Sequence, residues 1–254
     1  MGNAKRVALV TGSASGIGSA VAVRLANEGF DTIVNYSRSA DSASNTAERC
    51  NAAGSDTLLV QCDVSNEAGV VSMLDDIEKK YGRLDVVVNN AGTSISTLAK
   101  DFDKVSEEEF DRVFAVNVKG MFLVAKHSKA MLSEGIDPCI INTASIVGFR
   151  PGPQPLPYSA SKAAVISMTQ SLSFALGPKI RVNAVAPGFV LTEANEEWFT
   201  GTQEIAQHLA RRTSLGRWAE PAEIAGPVVF LASAAASFVT GHTLIVDGGY
   251  VTHF

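Results

Sequence analysis

Residues 7–18 read VALVTGSASGIG and join an apolar run to a glycine-rich turn. The apolar run Val7–Thr11 predicts a buried strand, and the helical spacing of apolar residues after the glycines predicts a helix. In this strand–turn–helix context, Gly12 permits a tight turn, Gly16 lets backbone approach a pyrophosphate, and Gly18 lets the helix pack on the strand. The stretch therefore predicts the dinucleotide-binding end of an α/β fold.

The alternation of strand and helix continues to the end of the chain. Residues 86–88 (VVV) are apolar on both faces, as a parallel sheet covered by helices requires, and Ile17–Glu28 is the first predicted helix. The predicted strands are Val7–Thr11, Asp31–Tyr36, Thr57–Gln61, Leu84–Asn89, Cys139–Thr143, Ile180–Ala186 and Thr243–Val246. We predict a single-domain Rossmann fold over residues 1–254, with a doubly wound seven-stranded parallel sheet and helices on both faces.

Two irregular stretches follow predicted strands, at the sheet edge where ligands bind in open α/β folds. Arg150–Pro157 alternates proline with other residues, so we expect neither a helix nor an inner strand there. Residues 189–217 contain two short helical patterns and are predicted to form a substrate lid. The alternative is that both stretches are surface insertions.

Composition excludes several classes of protein. The 254 residues include 26 acidic and 21 basic ones, a net charge of −5, so we expect binding to neither nucleic acid nor membrane. The cysteines Cys50, Cys62 and Cys139 are odd in number and widely spaced, which predicts reduced thiols in a cytoplasmic protein. No histidine pairs with them at ligand spacing, so no metal site is expected. No apolar run approaches the ~18 residues of a membrane span, and the strand at Val7 leaves no room for a signal peptide.

The segment after the second strand, residues 35–39 (NYSRS), predicts which dinucleotide binds. NAD enzymes usually place an acid there for the ribose 2′-hydroxyl, whereas a 2′-phosphate needs hydroxyls and an arginine. No acid precedes Asp41, and Ser37 and Arg38 could bind a phosphate. We therefore predict a preference for NADP(H), with NAD(H) possible. The alternative is that Arg38 is a solvated charge at the helix entry.

Two further strand ends are candidate dinucleotide contacts. The carboxylate of Asp63, followed by Val64, could accept from an adenine amine, although a lone aspartate there is more often a helix cap. In residues 89–92 (NNAG), two amides can tie neighbouring strand ends together and border the ribose. The small alanine and glycine then let the cofactor lie against backbone.

A second group of residues carries acid–base chemistry. Tyr158 and Lys162 are four apart in a predicted helix, so we expect Lys162 to lower the phenol pKa from about 10. Ser145, at the end of the fifth strand, can donate to a substrate oxygen. Asn117 falls in the apolar stripe of the helix that starts at Ser106 with a capping box. A buried amide must find partners, and the alternative is a water-satisfied core asparagine.

Four motifs in one order span essentially the whole chain: T-G-x-x-x-G-I-G, N-N-A-G, the tetrad Asn117, Ser145, Tyr158 and Lys162, and Pro187-Gly188 with Thr192. With these motifs the sequence resembles the short-chain dehydrogenase/reductase family, and it is most similar to 3-oxoacyl-[acyl-carrier-protein] reductase-like members. The resemblance implies hydride transfer between a nicotinamide and a carbonyl or secondary alcohol. It also implies a homotetramer, with the helices Ser106–Ser133 and Tyr158–Gly177 forming one interface.

The resemblance implies a role for each matched residue. Tyr158 is the general acid or base, Lys162 binds the nicotinamide ribose, and Ser145 polarises the carbonyl. Asn117 holds a water that relays protons to Lys162. The implied cofactor-binding residues are Gly12, Ser13, Ser15, Gly16, Ile17, Gly18, Ser37, Arg38, Asp63, Val64, Asn90, Ala91, Gly92, Tyr158, Lys162, Pro187, Gly188, Val190 and Thr192.

Two departures from the family pattern bear on function. Many NADPH-using relatives have a basic residue where this chain has Ser15, so more of the phosphate binding falls to Arg38. Relatives that dock an acidic carrier protein present arginines at positions where residues 133–137 and 173–177 contain none. A carrier-protein substrate is therefore disfavoured, because a negative protein needs a local basic patch to bind it.

The predicted substrate pocket is apolar with one amide, which suits a small ketone or aldehyde with a hydrophobic body. Its candidate residues are Ser145, Val147, Phe149, Gln154, Tyr158, Phe189 and Trp198. Three alternatives stay open: a 3-oxoacyl-[acyl-carrier-protein] reductase of fatty-acid synthesis, an NAD-dependent alcohol or sugar dehydrogenase, and a non-catalytic dinucleotide sensor. The sensor would have no need of Tyr158 and Lys162.

Overall fold

The computed structural model describes residues 5–152, 154–193 and 203–250. The strands of this part of the chain are β1 Val7–Val10, β2 Asp31–Tyr36, β3 Leu58–Gln61, β4 Val86–Asn89, β5 Cys139–Thr143, β6 Arg181–Pro187 and β7 Thr243–Val246. Its α-helices are α1 Gly16–Asn27, α2 Ala40–Ala52, α3 Glu67–Tyr81, α4 Glu107–Phe114, α5 Met121–Ser133, α6 Leu156–Leu176, α7 Gln203–Arg211 and α8 Pro221–Ala232.

The strands form one parallel sheet in the order β3-β2-β1-β4-β5-β6-β7. The chain runs outward from β1 to β3, returns to β4 beside β1, and then runs outward to β7. This doubly wound order confirms the predicted fold class. The predicted strand bounds also hold closely, and the largest difference is at β4, which begins at Val86 instead of Leu84.

Helices cover both faces of the sheet because alternate strand residues point to opposite sides. Val88 and Ile141 pack against α1 and α8. Val87 and Ile140 pack on the other face against α3 and α5. All four side chains are buried. Burial on both sides explains why these strands are continuously apolar instead of alternating.

The long helix predicted from Ser106 is interrupted. The capping box is confirmed: Ser106 Oγ accepts from the Glu109 N–H at 3.2 Å, and the Glu109 carboxylate accepts from the Ser106 N–H at 3.1 Å. Residues Ala115–Gly120 then form a π-helical segment between α4 and α5. Such segments are frequent at functional sites, and this one contains Asn117.

The proline-rich stretch Arg150–Pro157 is irregular at first, but the expectation that it contains no helix is wrong at its end. Helix α6 begins at Leu156 and includes Pro157. Proline fits the first turn of a helix because its missing N–H would have no intrahelical partner there. Tyr158 consequently lies in the first turn of α6.

The predicted lid, residues 189–217, lies partly within the described part of the chain. Val190 pairs with Ala219 as an isolated parallel bridge, and α7 follows before α8. Trp198, predicted in the substrate pocket, lies outside the described residues. The three cysteines are buried and unpaired, in agreement with the predicted free thiols. None of the helices in the described ranges is both long and apolar enough to span a bilayer.

Candidate active site

The glycine-rich turn joins β1 to α1 at the carboxyl edge of the sheet. Gly12 and Gly16 have φ angles of +61° and +56°, a region that glycine adopts without strain. A Cβ on Gly12 would lie 2.7 Å from Ala91 Cα, and one on Gly18 would lie 2.5 Å from Asn90 Nδ2. The tight turn at Gly12 and the close packing at Gly18 are therefore confirmed.

Two asparagine amides tie the strand ends together, as predicted. Asn90 Nδ2 donates to Thr11 O at 3.1 Å and to Gly12 O at 3.0 Å. Asn89 Nδ2 donates to Asn142 Oδ1 at 2.9 Å. The ends of β1, β4 and β5 are thus cross-linked by the buried amide of Asn89 and the half-buried amide of Asn90.

The turn leaves a cradle that fits a dinucleotide phosphate. Ser15 is the N-cap of α1, and within the described residues its side chain makes no hydrogen bond to the first turn. The first N–H groups and the positive end of the helix dipole are therefore available to an anion. Thr192 lies opposite, because a Cβ on Gly16 would be 3.4 Å from Thr192 Cγ2. Ser15, Gly16 and Thr192 line a groove of about 570 Å³.

Ser13 and Ile17 occupy different positions in this turn. Ser13 is fully buried; its N–H donates to Asn35 O at 2.8 Å and its hydroxyl donates to Val10 O at 2.8 Å. Both donors bond within the protein, so Ser13 holds the turn against β2 instead of facing the cradle. Ile17 is half-buried in the first turn of α1.

The residues predicted to bind the adenosine end of the cofactor differ in whether their side chains already have partners in the protein. Ser37 and Arg38 are exposed after β2, and Arg38 joins none of the ion pairs formed by the described residues. Asp63 is engaged: it accepts from the Ser65 N–H at 3.0 Å and from Arg112 Nη2 at 3.1 Å. Burial acts to raise the Asp63 pKa, but these hydrogen bonds outweigh it and lower the pKa below its usual value.

Val64 is buried and packs on the π-helical segment. A Cβ on Gly120 would lie 2.7 Å from Val64 Cγ2. The end of β3 and the segment that contains Asn117 are therefore in direct contact. Only glycine permits this approach at position 120.

The residues predicted to perform the chemistry meet at the ends of β5 and α6. Lys162 is 3% exposed; its Nζ donates to Thr143 O at 2.7 Å and lies 5.6 Å from the centre of the Tyr158 ring. Ser145, immediately beyond β5, is hydrogen-bonded to Tyr158. A phenol, a hydroxyl and an ammonium are thus held within reach of one another.

The pKa shifts at this cluster correct one prediction from the sequence. Burial raises the pKa of Tyr158 above its usual 10, and the hydrogen bond from Ser145 offsets only part of this. Burial also lowers the pKa of Lys162 to about 8. The net shift of the Tyr158 pKa is therefore upward, and not downward as expected, because desolvation disfavours the charged form.

Asn117 is fully buried and bonded to protein on two sides. Its Oδ1 accepts from the Thr93 N–H at 2.8 Å, and its Nδ2 donates to Thr93 O at 2.9 Å and to Ser161 Oγ at 3.0 Å. A Cβ on Gly92 would lie 3.5 Å from Asn117 Oδ1 and 3.8 Å from Lys162 Nζ. The predicted burial of Asn117 is confirmed, and protein groups form the hydrogen bonds of its amide. The water that would relay protons to Lys162 stays a prediction.

The predicted cofactor-binding residues Pro187, Gly188 and Val190 lie at the end of β6 and just beyond it. Pro187 is the last residue of that strand, and the Gly188 N–H donates to Val246 O at 2.9 Å. A Cβ on Gly188 would lie 2.8 Å from Asp247 Cα, so this glycine is required for close packing on the chain after β7. Val190 is buried behind them.

The described substrate-pocket residues fall in two places. Val147 and Phe149 follow Ser145 along a short 3₁₀ turn, and Phe149 and the half-buried Gln154 are open to solvent in part. This turn packs on α6, since a Cβ on Gly148 would lie 2.8 Å from the backbone of Lys162. The turn therefore belongs to the site.

Phe189 joins an aromatic cluster that the sequence reasoning missed. Its ring centre lies 4.9 Å from that of Trp218 and 5.0 Å from that of Tyr250. Ser161 and Thr93, the partners of Asn117, were also missed. Ser161 has a signal in the sequence, because it lies inside the Tyr158–Lys162 motif.

Comparison with known proteins agrees with this geometry. The family model described as enoyl-(acyl carrier protein) reductase matches residues 12–251. A 3-oxoacyl-[acyl-carrier-protein] reductase of Staphylococcus aureus is 35% identical over 243 residues, covering 95% of this chain and 96% of the relative. Glucose 1-dehydrogenase 2 of Bacillus subtilis is 37% identical over 247 residues, covering 96% and 94%.

A crystal structure described as a short-chain dehydrogenase/reductase from Burkholderia xenovorans superposes with a TM-score of 0.91 at 31% identity. The match covers 98% of this chain and 99% of that one. The chain belongs to the short-chain dehydrogenase/reductase family and is an oxidoreductase of that family.

Proposed function

We propose that the protein is an NADP(H)-dependent oxidoreductase that interconverts a carbonyl compound and a secondary alcohol, with Tyr158 as general acid and base. The observation that supports this most is the meeting of Ser145, Tyr158 and Lys162 at the same carboxyl edge of the sheet as the glycine-rich turn. The position of Gly92 between Asn117 and Lys162 adds to it, because a cofactor lying on that backbone would touch both.

A bound nicotinamide supplies or accepts the hydride. In reduction, the Tyr158 hydroxyl donates its proton to the carbonyl oxygen as the carbonyl carbon takes the hydride, which leaves an alcohol and a phenolate. Ser145 donates a hydrogen bond to the same oxygen, and the Lys162 ammonium stabilises the phenolate. Oxidation of the alcohol reverses these steps.

The preference for NADP(H) over NAD(H) is supported by the end of β2. Ser37 and the exposed Arg38 stand where a 2′-phosphate would lie, and the first acid after the strand is Asp41. An acid at that position would repel the phosphate. Ser15 supplies no charge, so Arg38 is the main discriminating group of this proposal.

The proposed substrate is a ketone or aldehyde with a hydrophobic body, because Val147, Phe149 and Phe189 offer apolar surface. A substrate attached to an acyl-carrier protein is a weaker candidate. Lys126 on α5, the helix that leads into residues 133–137, forms an ion pair with Glu67 at 2.7 Å, so its charge is already paired. The similar proteins include a carrier-protein reductase and a sugar dehydrogenase, so similarity alone does not select the substrate.

We further propose a cytoplasmic homotetramer in which residues 1–254 are one domain and 189–217 the substrate lid. Exposed aromatic side chains support the assembly. Phe122 on α5 is 47% exposed, Phe174 at the end of α6 is 92% exposed, and Phe238 in the segment before the edge strand β7 is fully exposed. Large apolar side chains at such positions favour contact with another copy.

The test is a panel of hydrophobic ketones, aldehydes, sugars and 3-oxoacyl thioesters, assayed with NADPH and NADH against a Tyr158→Phe control. We expect NADPH-linked turnover of hydrophobic carbonyls and none by the control, which still binds the cofactor. Turnover confined to sugars, or to thioesters on a carrier protein, would replace the proposed substrate. Cofactor binding without any turnover would indicate a sensor.

A further inference from the structure

Ser161 lies between Tyr158 and Lys162 and is completely buried. Its hydroxyl donates to Tyr158 O at 2.7 Å and accepts from Asn117 Nδ2 at 3.0 Å. These directions follow from the chemistry of the groups, because an amide nitrogen only donates and a carbonyl oxygen only accepts. One oxygen atom therefore connects α6 to the π-helical segment.

The bond to Ser161 occupies one of the two N–H groups of the Asn117 amide. The other N–H donates to Thr93 O, and Oδ1 of the same amide accepts from the Thr93 N–H. All three contacts hold the amide plane in one orientation. Loss of Ser161 would leave a buried N–H unpaired, and rotation to recover it would break the bonds to Thr93.

Thr93 directly follows Gly92, whose Cα faces both Asn117 and Lys162. A chain of short contacts thus runs from α6 through Ser161 and Asn117 to the backbone at the proposed cofactor surface. Lys162 lies at the other side of that surface, anchored to Thr143 O. The distance between the backbone at Gly92 and the Lys162 ammonium therefore depends on the orientation of the Asn117 amide.

We propose that Ser161 is a positioning residue for hydride and proton transfer. It holds the Asn117 amide against α6, so that the backbone at Gly92 and the Lys162 ammonium keep the spacing that the reaction requires. Small displacements of reacting groups have large effects on rate, so this role is testable by kinetics. The inference rests on the proposed function, since it assigns Ser161 a part in that same site.

The chain offers a matched control two residues earlier. Ser159 is on the same helix and is also buried, at 6% exposure, but its hydroxyl has no hydrogen-bond partner among the described residues. Ser159→Ala and Ser161→Ala remove the same atom from the same helix. Only the second removes a bond to the π-helical segment.

The experiment compares Ser161→Ala, Ser159→Ala and Tyr158→Phe in kcat, in KM for NADPH, in the pH profile and in urea unfolding. For Ser161→Ala we expect kcat to fall by roughly 10- to 100-fold while KM changes little, with the alkaline limb of the profile displaced. Ser159→Ala is expected to keep kcat within about twofold of wild type. In an Asn117→Ala background, Ser161→Ala should add little, because the two residues act as one unit.

Equal kcat values for Ser161→Ala and Ser159→Ala would overturn the inference and leave the proposed function standing, provided that Tyr158→Phe is inactive. Full turnover by Tyr158→Phe would instead overturn the proposed function. If Ser161→Ala does not fold, Ser161→Cys keeps the side-chain size with a weaker hydrogen bond. Its kcat should lie below that of wild type, and a wild-type value would reject the role.

Discussion

The Lys162 ammonium lies 5.6 Å from the centre of the Tyr158 ring, and both residues project from one face of α6. Burial raises the pKa of the phenol and lowers that of the ammonium to about 8. At neutral pH the phenol therefore keeps its proton and the lysine keeps its charge. These are the protonation states that carbonyl reduction uses.

The rate of carbonyl reduction is expected to hold below about pH 8 and to decline above it. Lys162 loses its charge as the pH rises through its lowered pKa of about 8, while Tyr158 stays protonated. Alcohol oxidation should show the opposite trend, because it needs the phenolate. Initial rates in both directions across this range check the prediction, and a reduction rate that stays flat above pH 9 would contradict it.

Lys162→Met is expected to abolish turnover and yet raise the free energy of unfolding at neutral pH. The pKa of Lys162 is about 8 instead of 10.5. Keeping its proton therefore costs the native state about 3 kcal/mol. The lost hydrogen bond to Thr143 O offsets about 1 kcal/mol, which leaves a gain of about 2 kcal/mol.

The gain in stability of Lys162→Met could come from removing the buried charge or from better packing of the methionine. The sign of the pH dependence of the free energy of unfolding distinguishes these two causes. Between pH 8 and 10.5 the unfolded state binds the Lys162 proton and the native state does not, so wild-type stability should rise with pH. The methionine variant lacks this rise, and its advantage should shrink. Urea unfolding of both proteins at neutral and alkaline pH measures the difference, and a constant advantage would exclude the titration of Lys162.

Two glycine substitutions should separate folding from cofactor binding. Gly12→Ala places a side chain at φ +61° with its Cβ 2.7 Å from Ala91 Cα, and is expected to lower the free energy of unfolding by roughly 1–3 kcal/mol. Gly92→Ala makes only ordinary contacts at 3.5 and 3.8 Å, so the fold should tolerate it. Its methyl group projects toward the proposed cofactor surface, and NADPH affinity should fall by about tenfold or more.

NADPH titration by fluorescence and urea unfolding, done on both glycine variants, check this pair of predictions. Gly226→Ala on α8 is a suitable control, because its Cβ would meet nothing within 4 Å. Unchanged NADPH affinity in Gly92→Ala would show that the cofactor does not lie against this backbone.

Arg38→Ala is expected to reduce the ratio of kcat/KM for NADPH to that for NADH by about tenfold or more, because an exposed guanidinium would no longer face the 2′-phosphate. NADH kinetics should stay nearly unchanged. Arg24→Ala, which removes a surface charge at the far end of α1, serves as the control. An unaltered ratio in Arg38→Ala would place the discrimination elsewhere.

Light scattering coupled to size exclusion should give the mass of a tetramer for the wild-type chain. Phe122→Ser on α5 and Phe238→Ser in the segment before β7 alter two separate elements of the surface. A tetramer built on two-fold axes uses more than one face, so each variant is expected to leave dimers. A monomeric wild type would reject the proposed assembly.

Much of the fold was accessible from local sequence patterns. The apolar residues 86–88 and the glycine-rich turn placed β4, β1 and α1 close to their final bounds. The π-helical segment at Ala115–Gly120 was not accessible, because one extra residue in a helix scarcely alters its apolar spacing. The same spacing still predicted the burial of Asn117 correctly.

Contacts between distant segments also shape the site in ways that local patterns did not show. Asp63 was predicted to accept from adenine; that stays a prediction, and Arg112 on α4 pairs with the carboxylate. Ser13 was predicted to bind the cofactor, and its N–H donates to Asn35 O on β2. Neither partner is near in sequence, so no local pattern signals the contact.

The sequence by itself determined the α/β class, the strands, and the identity and order of the residues with chemical potential, because apolar periodicity and glycine-rich turns are short-range features. Only the tertiary structure decided that the pKa of Tyr158 is raised and that Ser161 orients the amide of Asn117. The reason is physical: desolvation and hydrogen bonding depend on which atoms surround a group. Those atoms come from segments that meet only when the sheet and helices pack together.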